Sequence, residues 1–182
     1  MFDADRYTVK GTLLSLGKQY TVYEGETPIL SATRERFRLV EGFDLAASDG
    51  SPVIRVTTDR LAGVDATYTV VDDRVGEVVG ALRRDWRSAF RHHWDLLDAD
   101  GERVATVEED SPLLALARRK LTSFIPCNYD VVGAAGDRLG RISGRLTNRS
   151  TYGLDLGDDR AGVVDPRLVI AAAVVIDAVE GT

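Results

Sequence analysis

The sequence predicts a mainly β fold in which a closed antiparallel sheet encloses one apolar helix near the C-terminus. Three observations carry this prediction. Short segments of alternating apolar and polar residues recur along the chain, Asp/Gly turns separate them, and residues 168–176 contain no polar side chain. With 182 residues, the chain is long enough to bury a core of this kind. We therefore expect a single domain over residues 1–182.

The C-terminal segment 165–179 has the features of a buried helix. Asp165 can accept hydrogen bonds from the free amides of the first turn, and Pro166 suits the first helical position because an N–H group there would have no helical partner. The apolar run that follows has no polar face, so either protein or lipid must enclose it. A membrane span needs about 20 apolar residues, so the length of the run favours enclosure by protein.

Strands are predicted from the N-terminus onward, with alternating patterns at residues 6–9, 18–24 and 28–33. A repeated unit then follows, in which an aromatic residue opens a strand, an Asp/Gly-type turn follows, and a second apolar strand returns. Its four copies lie at residues 43–56, 68–78, 94–107 and 129–142. They are predicted β-hairpins, because Asp-Gly and related pairs tolerate the positive φ angles of tight turns. In the second copy we expect the returning strand to begin at Val75.

Three further elements complete the prediction. Residues 111–121 combine a Ser cap, a first-turn proline and a Leu-rich pattern, which predict one additional short helix. Strands are expected at residues 122–126 and 151–156, before the C-terminal helix.

Many antiparallel strands followed by one apolar helix leave few ways to bury that helix. A closed sheet removes exposed strand edges and provides a lumen for the helix. The lengths match, because about 14 helical residues at ~1.5 Å and about 6 strand residues at ~3.3 Å both span roughly 20 Å. Ala171, Ala172 and Ala173 keep the helix thin at its middle. A β-sandwich with the helix at one end is the alternative, although it leaves one helical face without a cover.

These features resemble the tubby C-terminal-like superfamily, and within it the LURP-one-related and phospholipid scramblase-like proteins. The resemblance rests on the repeated hairpin units and on residues 165–177, which are similar to that family's central helix with its trailing acid, here Asp177. It implies a barrel of about a dozen strands threaded by the C-terminal helix. The superfamily includes phosphoinositide-binding domains, membrane-associated scramblases and plant proteins of uncertain role. Unlike the scramblases, this sequence has no Pro-rich N-terminal tail and no Cys cluster for palmitoylation.

Composition excludes several classes of protein. The chain has 29 acidic residues against 23 Lys and Arg, a net charge of -6, which argues against general nucleic-acid binding. Cys127 is the lone cysteine, so neither an intramolecular disulfide nor a thiol-based zinc cluster can form. Because the first residues lack a basic start and an apolar signal core, we expect a cytoplasmic protein, peripheral to a membrane if it binds lipid.

The sequence offers no catalytic, cofactor or metal site. His92 and His93 are adjacent, so on a strand they point to opposite faces and cannot act together as acid and base. Asp98 and Asp100 have the spacing of the first calcium ligands of an EF-hand, but Gly101 falls two positions too early. We therefore interpret this segment as a hairpin turn, and we expect a non-enzymatic protein without cofactor or metal.

Residues 82–94 form a basic, aromatic stretch in an acidic chain. If this stretch is extended, Trp86, Phe90 and Trp94 share one face, while Arg87, Arg91 and His93 share the other. Arg83, Arg84, Arg87 and Arg91 are the predicted binding residues for anionic lipid headgroups, since Arg forks suit phosphate. The alternative is a solvated exterior on which these side chains pair with nearby Asp.

The sequence thus predicts a non-enzymatic binding module for anionic phospholipid at a membrane surface. Two alternatives stay open: a structural or regulatory protein-interaction domain without a lipid ligand, and phospholipid scramblase activity. The sequence does not set the oligomeric state.

Overall fold

Twelve antiparallel strands form a closed barrel around one C-terminal helix in the part of the chain that the structure describes. The structure is a computed structural model, which describes residues 2–14, 17–33, 42–58, 66–84, 93–109, 128–145, 148–157 and 163–180. The strands are β1 (Arg6–Leu14), β2 (Gly17–Glu24), β3 (Thr27–Thr33), β4 (Phe43–Ala46), β5 (Pro52–Thr58), β6 (Thr67–Asp72), β7 (Glu77–Arg84), β8 (His93–Leu97), β9 (Arg103–Glu109), β10 (Asn128–Gly133), β11 (Arg138–Arg145) and β12 (Asn148–Asp155). The helix α1 spans Pro166–Glu180. The predicted fold class is confirmed.

Closure of the barrel depends on β1. Each strand pairs with its neighbours in sequence, and β1 pairs with both β2 and β12. Val9 lies opposite Val22 on one side and opposite Tyr152 on the other. Because the first and last strands pair, the sheet has no free edge, and the alternative of a sandwich is excluded.

The helix α1 is the core of the barrel. Residues 168–178 are all buried, and Ala172 is only 1% exposed. Strand β7 contacts the helix closely at Gly80, where an added Cβ would lie 2.2 Å from the Leu97 carbonyl oxygen and 3.3 Å from the Leu168 side chain. Only glycine fits there without a shift of the backbone. The predicted N-cap is confirmed, since the Arg167 amide donates to Asp165 Oδ1 at 2.8 Å.

All four predicted hairpins are present, as β4–β5, β6–β7, β8–β9 and β10–β11. One boundary is wrong: β7 begins at Glu77, and Val75 lies in the turn. There the amides of Val75 and Gly76 donate to the Asp72 carbonyl oxygen at 3.3 and 2.8 Å. Gly76 has a φ of 73°, a conformation that glycine adopts easily. Val75 and Gly76 therefore belong to the turn, and pairing with β6 resumes at Glu77.

The Asp98–Gly101 segment is the predicted hairpin turn between β8 and β9. The Gly101 amide donates to the Asp98 carbonyl oxygen at 3.1 Å. Asp98 Oδ1 accepts from the amides of Asp100 and Glu102 at 3.0 and 2.9 Å. The carboxylate thus closes its own turn.

Residues 82–94 are not one extended strand, so the condition for the shared faces is not met. β7 and β8 run antiparallel, and Arg84 at the end of β7 lies opposite Trp94 near the start of β8. The chain therefore reverses direction between them. Trp94 does enter the core, at 1% exposure. Trp86, Phe90, Arg87 and Arg91 lie outside the described residues, as do the predicted helix at 111–121 and strand at 122–126. The predicted strand at 151–156 is confirmed within β12.

The antiparallel order gives the barrel two different ends. What we call the turn end holds the connections β2–β3, β4–β5, β6–β7, β8–β9 and β10–β11, together with the start of β1, the end of β12 and the start of α1. Its residues are 2–6, 24–27, 47–52, 72–77, 98–103, 133–138, 155–157 and 163–167. At the other end, which we call the far end, β1 and β7 finish, β2 and β8 begin, and α1 terminates.

Candidate functional site

Charge is distributed unequally between the two ends of the barrel. The turn end carries 14 Asp and Glu against 5 Arg, which is a net charge of -9. Since the whole chain has a net charge of -6, the remaining residues together carry +3. Part of the reason is local, because Asp side chains close several of the tight turns that meet at this end, as those of Asp49 and Asp98 do. Any anionic ligand is therefore repelled from the turn end.

Arg83 lies on the outer surface of the barrel, near the end of β7 that is remote from the turn end. Its Nη2 atom donates to Asp95 Oδ2 on β8 at 3.0 Å, and half of the side chain is exposed. The same carboxylate lies 3.7 Å from Arg103 Nη1 and 3.6 Å from His93 Nε2. Asp95 therefore orients Arg83 and reduces the local positive charge.

Arg84 lies on the opposite face of β7, toward the barrel interior. Its guanidinium is 5.9 Å from the centre of the Trp94 ring. Trp94 in turn contacts Tyr68, with ring centroids 5.9 Å apart and planes tilted by 48°. Burial raises the pKa of Tyr68, and the positive charge of Arg84 opposes that rise. Arg83 and Arg84 thus reach the same end of the barrel on different faces. The binding role of all four arginines stays a prediction.

A buried polar cluster, which we call the Asp177 cluster, joins the end of α1 to the barrel wall. Its members are Lys18, Tyr20, Tyr152 and Asp177. Asp177 has a 1% exposed side chain and pairs with Lys18 Nζ, whose side chain is 10% exposed. The hydroxyls of Tyr20 and Tyr152 each donate to the carboxylate at 2.8 Å. Because these donors come from β2 and β12, the two strands that flank β1, the cluster fixes the helix at the point of barrel closure.

A second cluster, the Asp72 cluster, holds the start of α1. Its members are Asp72, Arg74, Asp165 and Arg167. Arg74 donates to Asp72 from Nε at 2.9 Å and from Nη2 at 2.5 Å. Arg167 donates to Asp72 from Nη1 and to Asp165 from Nε at 2.9 Å. These bonds, those from Arg74 first, lower the pKa of Asp72 to about 2, although burial opposes the shift.

The Asp72 cluster predicts a loss of stability in acid. The ionised carboxylate contributes on the order of 2 kcal/mol at pH 7, given a folded pKa of about 2 against about 3.9 in the unfolded chain. That contribution is complete above pH ~4 and is lost as the pH falls toward ~2. We expect Asp72→Asn to unfold at lower urea concentration than wild type at pH 7, with a smaller difference near pH 2. Asp100→Asn, in an exposed turn, is the control; equal losses in both variants would contradict the prediction.

Sequence reasoning missed both clusters. Asp72 lies at a predicted hairpin turn, yet it is only 2% exposed. A signal was present in each case. Lys18 shares an alternating strand face with Tyr20 and Val22, which are both buried, and Asp177 ends an apolar helical run. A charge on a core-facing position requires a partner.

The described residues hold no other site with evident chemistry. Among them, no group of three or more His, Cys, Asp or Glu could bind a metal ion. An open pocket of about 400 Å³ lies at the turn end between the N-terminal residues and the β2–β3 turn. Asp5, Glu24 and Asp155 outnumber Arg6 in its lining, so it does not suit a phosphate. In the described chain, α1 is too short to qualify as a membrane-spanning helix.

Comparisons with known proteins agree with the barrel. A family model described as LURP-one-related matches residues 29–177. The chain is also similar to the X-ray structure of a protein from Arabidopsis thaliana, with a TM-score of 0.59 and 12% sequence identity. That likeness covers 98% of this chain and 94% of the plant protein, and at this identity it shows the fold alone. No curated protein matches the sequence.

Proposed function

Because the chain belongs to the LURP-one-related family, we propose that it is a binding module for anionic phospholipid headgroups. Family membership favours a non-enzymatic domain. The proposed binding residues are Arg83, Arg84, Arg87 and Arg91, and the proposed location is the cytoplasmic surface of a membrane. The resemblance to tubby C-terminal-like and scramblase-like proteins adds support, since those relatives act on or at lipids.

The observation that carries the proposal is the position of Arg83 and Arg84. Both lie at the end of β7 that points away from the acidic turn end. Asp95 binds one Nη atom of Arg83 and leaves other N–H groups of the fork available, since a guanidinium has five donors. Because Asp95 already orients the Arg83 side chain, binding a phosphate oxygen costs little further side-chain entropy.

Replacing Arg83, Arg84, Arg87 and Arg91 together by Gln should abolish binding to anionic vesicles at low salt. Each basic residue near an anionic membrane contributes about 1 kcal/mol, so four contribute on the order of a thousandfold in affinity. Co-sedimentation with phosphatidylserine-containing vesicles, with phosphatidylcholine vesicles as reference, measures the effect. Added salt should weaken wild-type binding.

The matched control removes arginines from the turn end. Arg6 and Arg138 have side chains that are 81% and 64% exposed. Compared with wild type in physiological salt, Arg6→Gln and Arg138→Gln should leave vesicle binding unchanged within about twofold, since long-range attraction is screened there beyond roughly 8 Å. If wild-type protein binds no anionic vesicle, or if the control variants lose as much affinity as the quadruple variant, the proposed function is wrong.

A protein-interaction domain is the second candidate function. Val75, Val78 and Val163 are 65%, 47% and 43% exposed at or beside the turn end. Val75 and Val163 each lie within a few residues of the Asp72 cluster, so they flank the same part of the surface. Exposed apolar groups rimmed by charge favour a protein partner. A stoichiometric partner that is lost with Val75→Glu, combined with no affinity for lipid, would support this function over lipid binding.

Scramblase activity is a third candidate with a structural cost. If α1 acts in the bilayer, residues 168–178 must leave the barrel interior in which they are buried. The barrel would then lose its core. A vesicle assay with fluorescent lipid tests this activity, and transfer of lipid between leaflets by the purified protein would favour it.

A further inference from the structure

We infer that the barrel contacts an anionic bilayer with its far end, and that Leu13 inserts into the interfacial region there. The inference rests on the proposed function and specifies the surface that carries it out. It assigns a contact residue outside the basic stretch and an orientation in which the turn end faces away from the lipid.

The orientation follows from the charges. The turn end has a net charge of -9, whereas the remaining residues carry +3. An anionic leaflet attracts basic groups and repels acidic groups within a Debye length of its surface, about 8 Å in physiological salt. A molecule whose net negative charge is concentrated at one end therefore turns that end away. The far end, where Arg84 finishes β7 and His93 starts β8, is the end left to face the lipid.

Leu13 provides an apolar group at the same end. It lies next to the last residue of β1, opposite Lys18 on β2, and it is 83% exposed. A single exposed leucine is common on protein surfaces, so exposure alone is not evidence for a site. Leu13 also lies at the far end, which the charge distribution turns toward the lipid. The interface between headgroups and acyl chains accepts apolar side chains.

The three exposed valines are the competing apolar contact. Val75 and Val163 belong to the turn end, and Val78 directly follows it. In sequence, Val75 and Val78 adjoin Asp73 and Glu77, and Val163 is two residues from Asp165. An anionic bilayer repels these carboxylates. Since all of the exposed large apolar residues other than Leu13 in the described chain have this acidic setting, Leu13 is the one suited to anionic lipid.

Fluorescence from single-cysteine labels tests the orientation. In a Cys127→Ser background, Leu13→Cys, Ala99→Cys and Ala134→Cys each place one label, the first at the far end and the others in exposed turns of the turn end. The label is an environment-sensitive nitrobenzoxadiazole dye, and the probe is vesicles of phosphatidylcholine and phosphatidylserine. We expect the Leu13 label alone to show a blue shift and a gain in intensity of severalfold.

The outcomes separate the two proposals. A shift at position 99 or 134 as large as that at position 13 overturns the orientation while lipid binding stands. A blue shift at none of the three positions, with the labelled proteins still sedimenting with vesicles, overturns insertion at Leu13. If neither the Cys127→Ser parent nor the wild type sediments with anionic vesicles, both the proposed function and this inference are overturned.

Unlabelled variants give a second test with a matched control. Leu13→Asn should weaken binding to anionic vesicles by about tenfold to a hundredfold, the effect of losing one inserted leucine. Val163→Asn makes a comparable change at the turn end and should leave binding unchanged. Equal effects of the two substitutions, or none from Leu13→Asn, would overturn the inference.

Discussion

Replacing Ala172 with Arg is expected to prevent soluble folding of the chain. Ala172 lies in the middle of α1 at 1% exposure, with apolar residues on both sides along the helix. An unpaired charge enclosed there would cost more than the total stability of a typical domain, which is about 5–15 kcal/mol. The longer side chain would also exceed the space that the alanine triplet leaves inside the barrel. Soluble yield and circular dichroism of the purified variant measure the result.

The control for this substitution is Ala134→Arg. Ala134 is exposed in the β10–β11 turn, so the same change adds the same charge and volume in water. We expect a change in stability within about 0.5 kcal/mol of wild type. A soluble Ala172→Arg protein with a cooperative melting transition would show that the helix is not enclosed, and it would contradict the architecture.

Asp177→Ala is expected to produce the second large effect. The substitution leaves Lys18 and the hydroxyls of Tyr20 and Tyr152 without their shared acceptor. Removing one partner of a buried ion pair typically costs about 3–5 kcal/mol. For a chain of this size each kcal/mol lowers Tm by roughly 2–4 °C, so Tm should fall by about 6–20 °C. Differential scanning calorimetry measures the shift.

A double variant separates the ion pair from a packing effect. Lys18→Met removes the cation that Asp177→Ala strands, so the double variant should be more stable than the sum of the two single losses predicts. Asp100→Ala, in the exposed β8–β9 turn, is the surface control. If Asp177→Ala melts within the range of that control, the Asp177 cluster does not stabilise the barrel.

Both variants bear on where a ligand can bind. The helix α1 resembles a membrane segment in sequence, yet it fills the barrel and is held at both ends by charged clusters. Contact with lipid in the proposed orientation must therefore come from the strands and their ends. At the centre of these clusters, the side chains of Asp72, Asp177 and Lys18 are at most 10% exposed and are not available to a ligand on the outside.

The amino-acid sequence determined the main elements and their arrangement. The unbroken apolar run predicts a helix that protein encloses, because it offers no face to water. Asp/Gly turns between alternating segments predict the hairpins, since these residues tolerate the conformation that tight turns need. Together they leave a closed sheet around a helix as the favoured solution, and the structure has that arrangement.

The candidate site was only partly accessible from the sequence. The sequence identified Arg83 and Arg84 as basic residues in an acidic chain, but not that they end β7, with Arg83 facing outward and Arg84 facing Trp94 in the interior. The end of β7 could not be predicted, because the chain between Arg84 and His93 contains no Asp-Gly pair to mark the reversal. The pairing of Arg83 with Asp95 depends on register across two strands, which a local pattern does not specify.

The tertiary structure alone decided which charges are buried together and which end of the barrel is acidic. Lys18 and Asp177 are separated by most of the chain, and they meet only because β1 and β12 close the sheet. The acidity of the turn end has the same origin, because antiparallel pairing of successive strands brings five separate turns to one side. Local interactions set the composition of each turn, whereas the sum of their charges at one surface is a property of the closed fold.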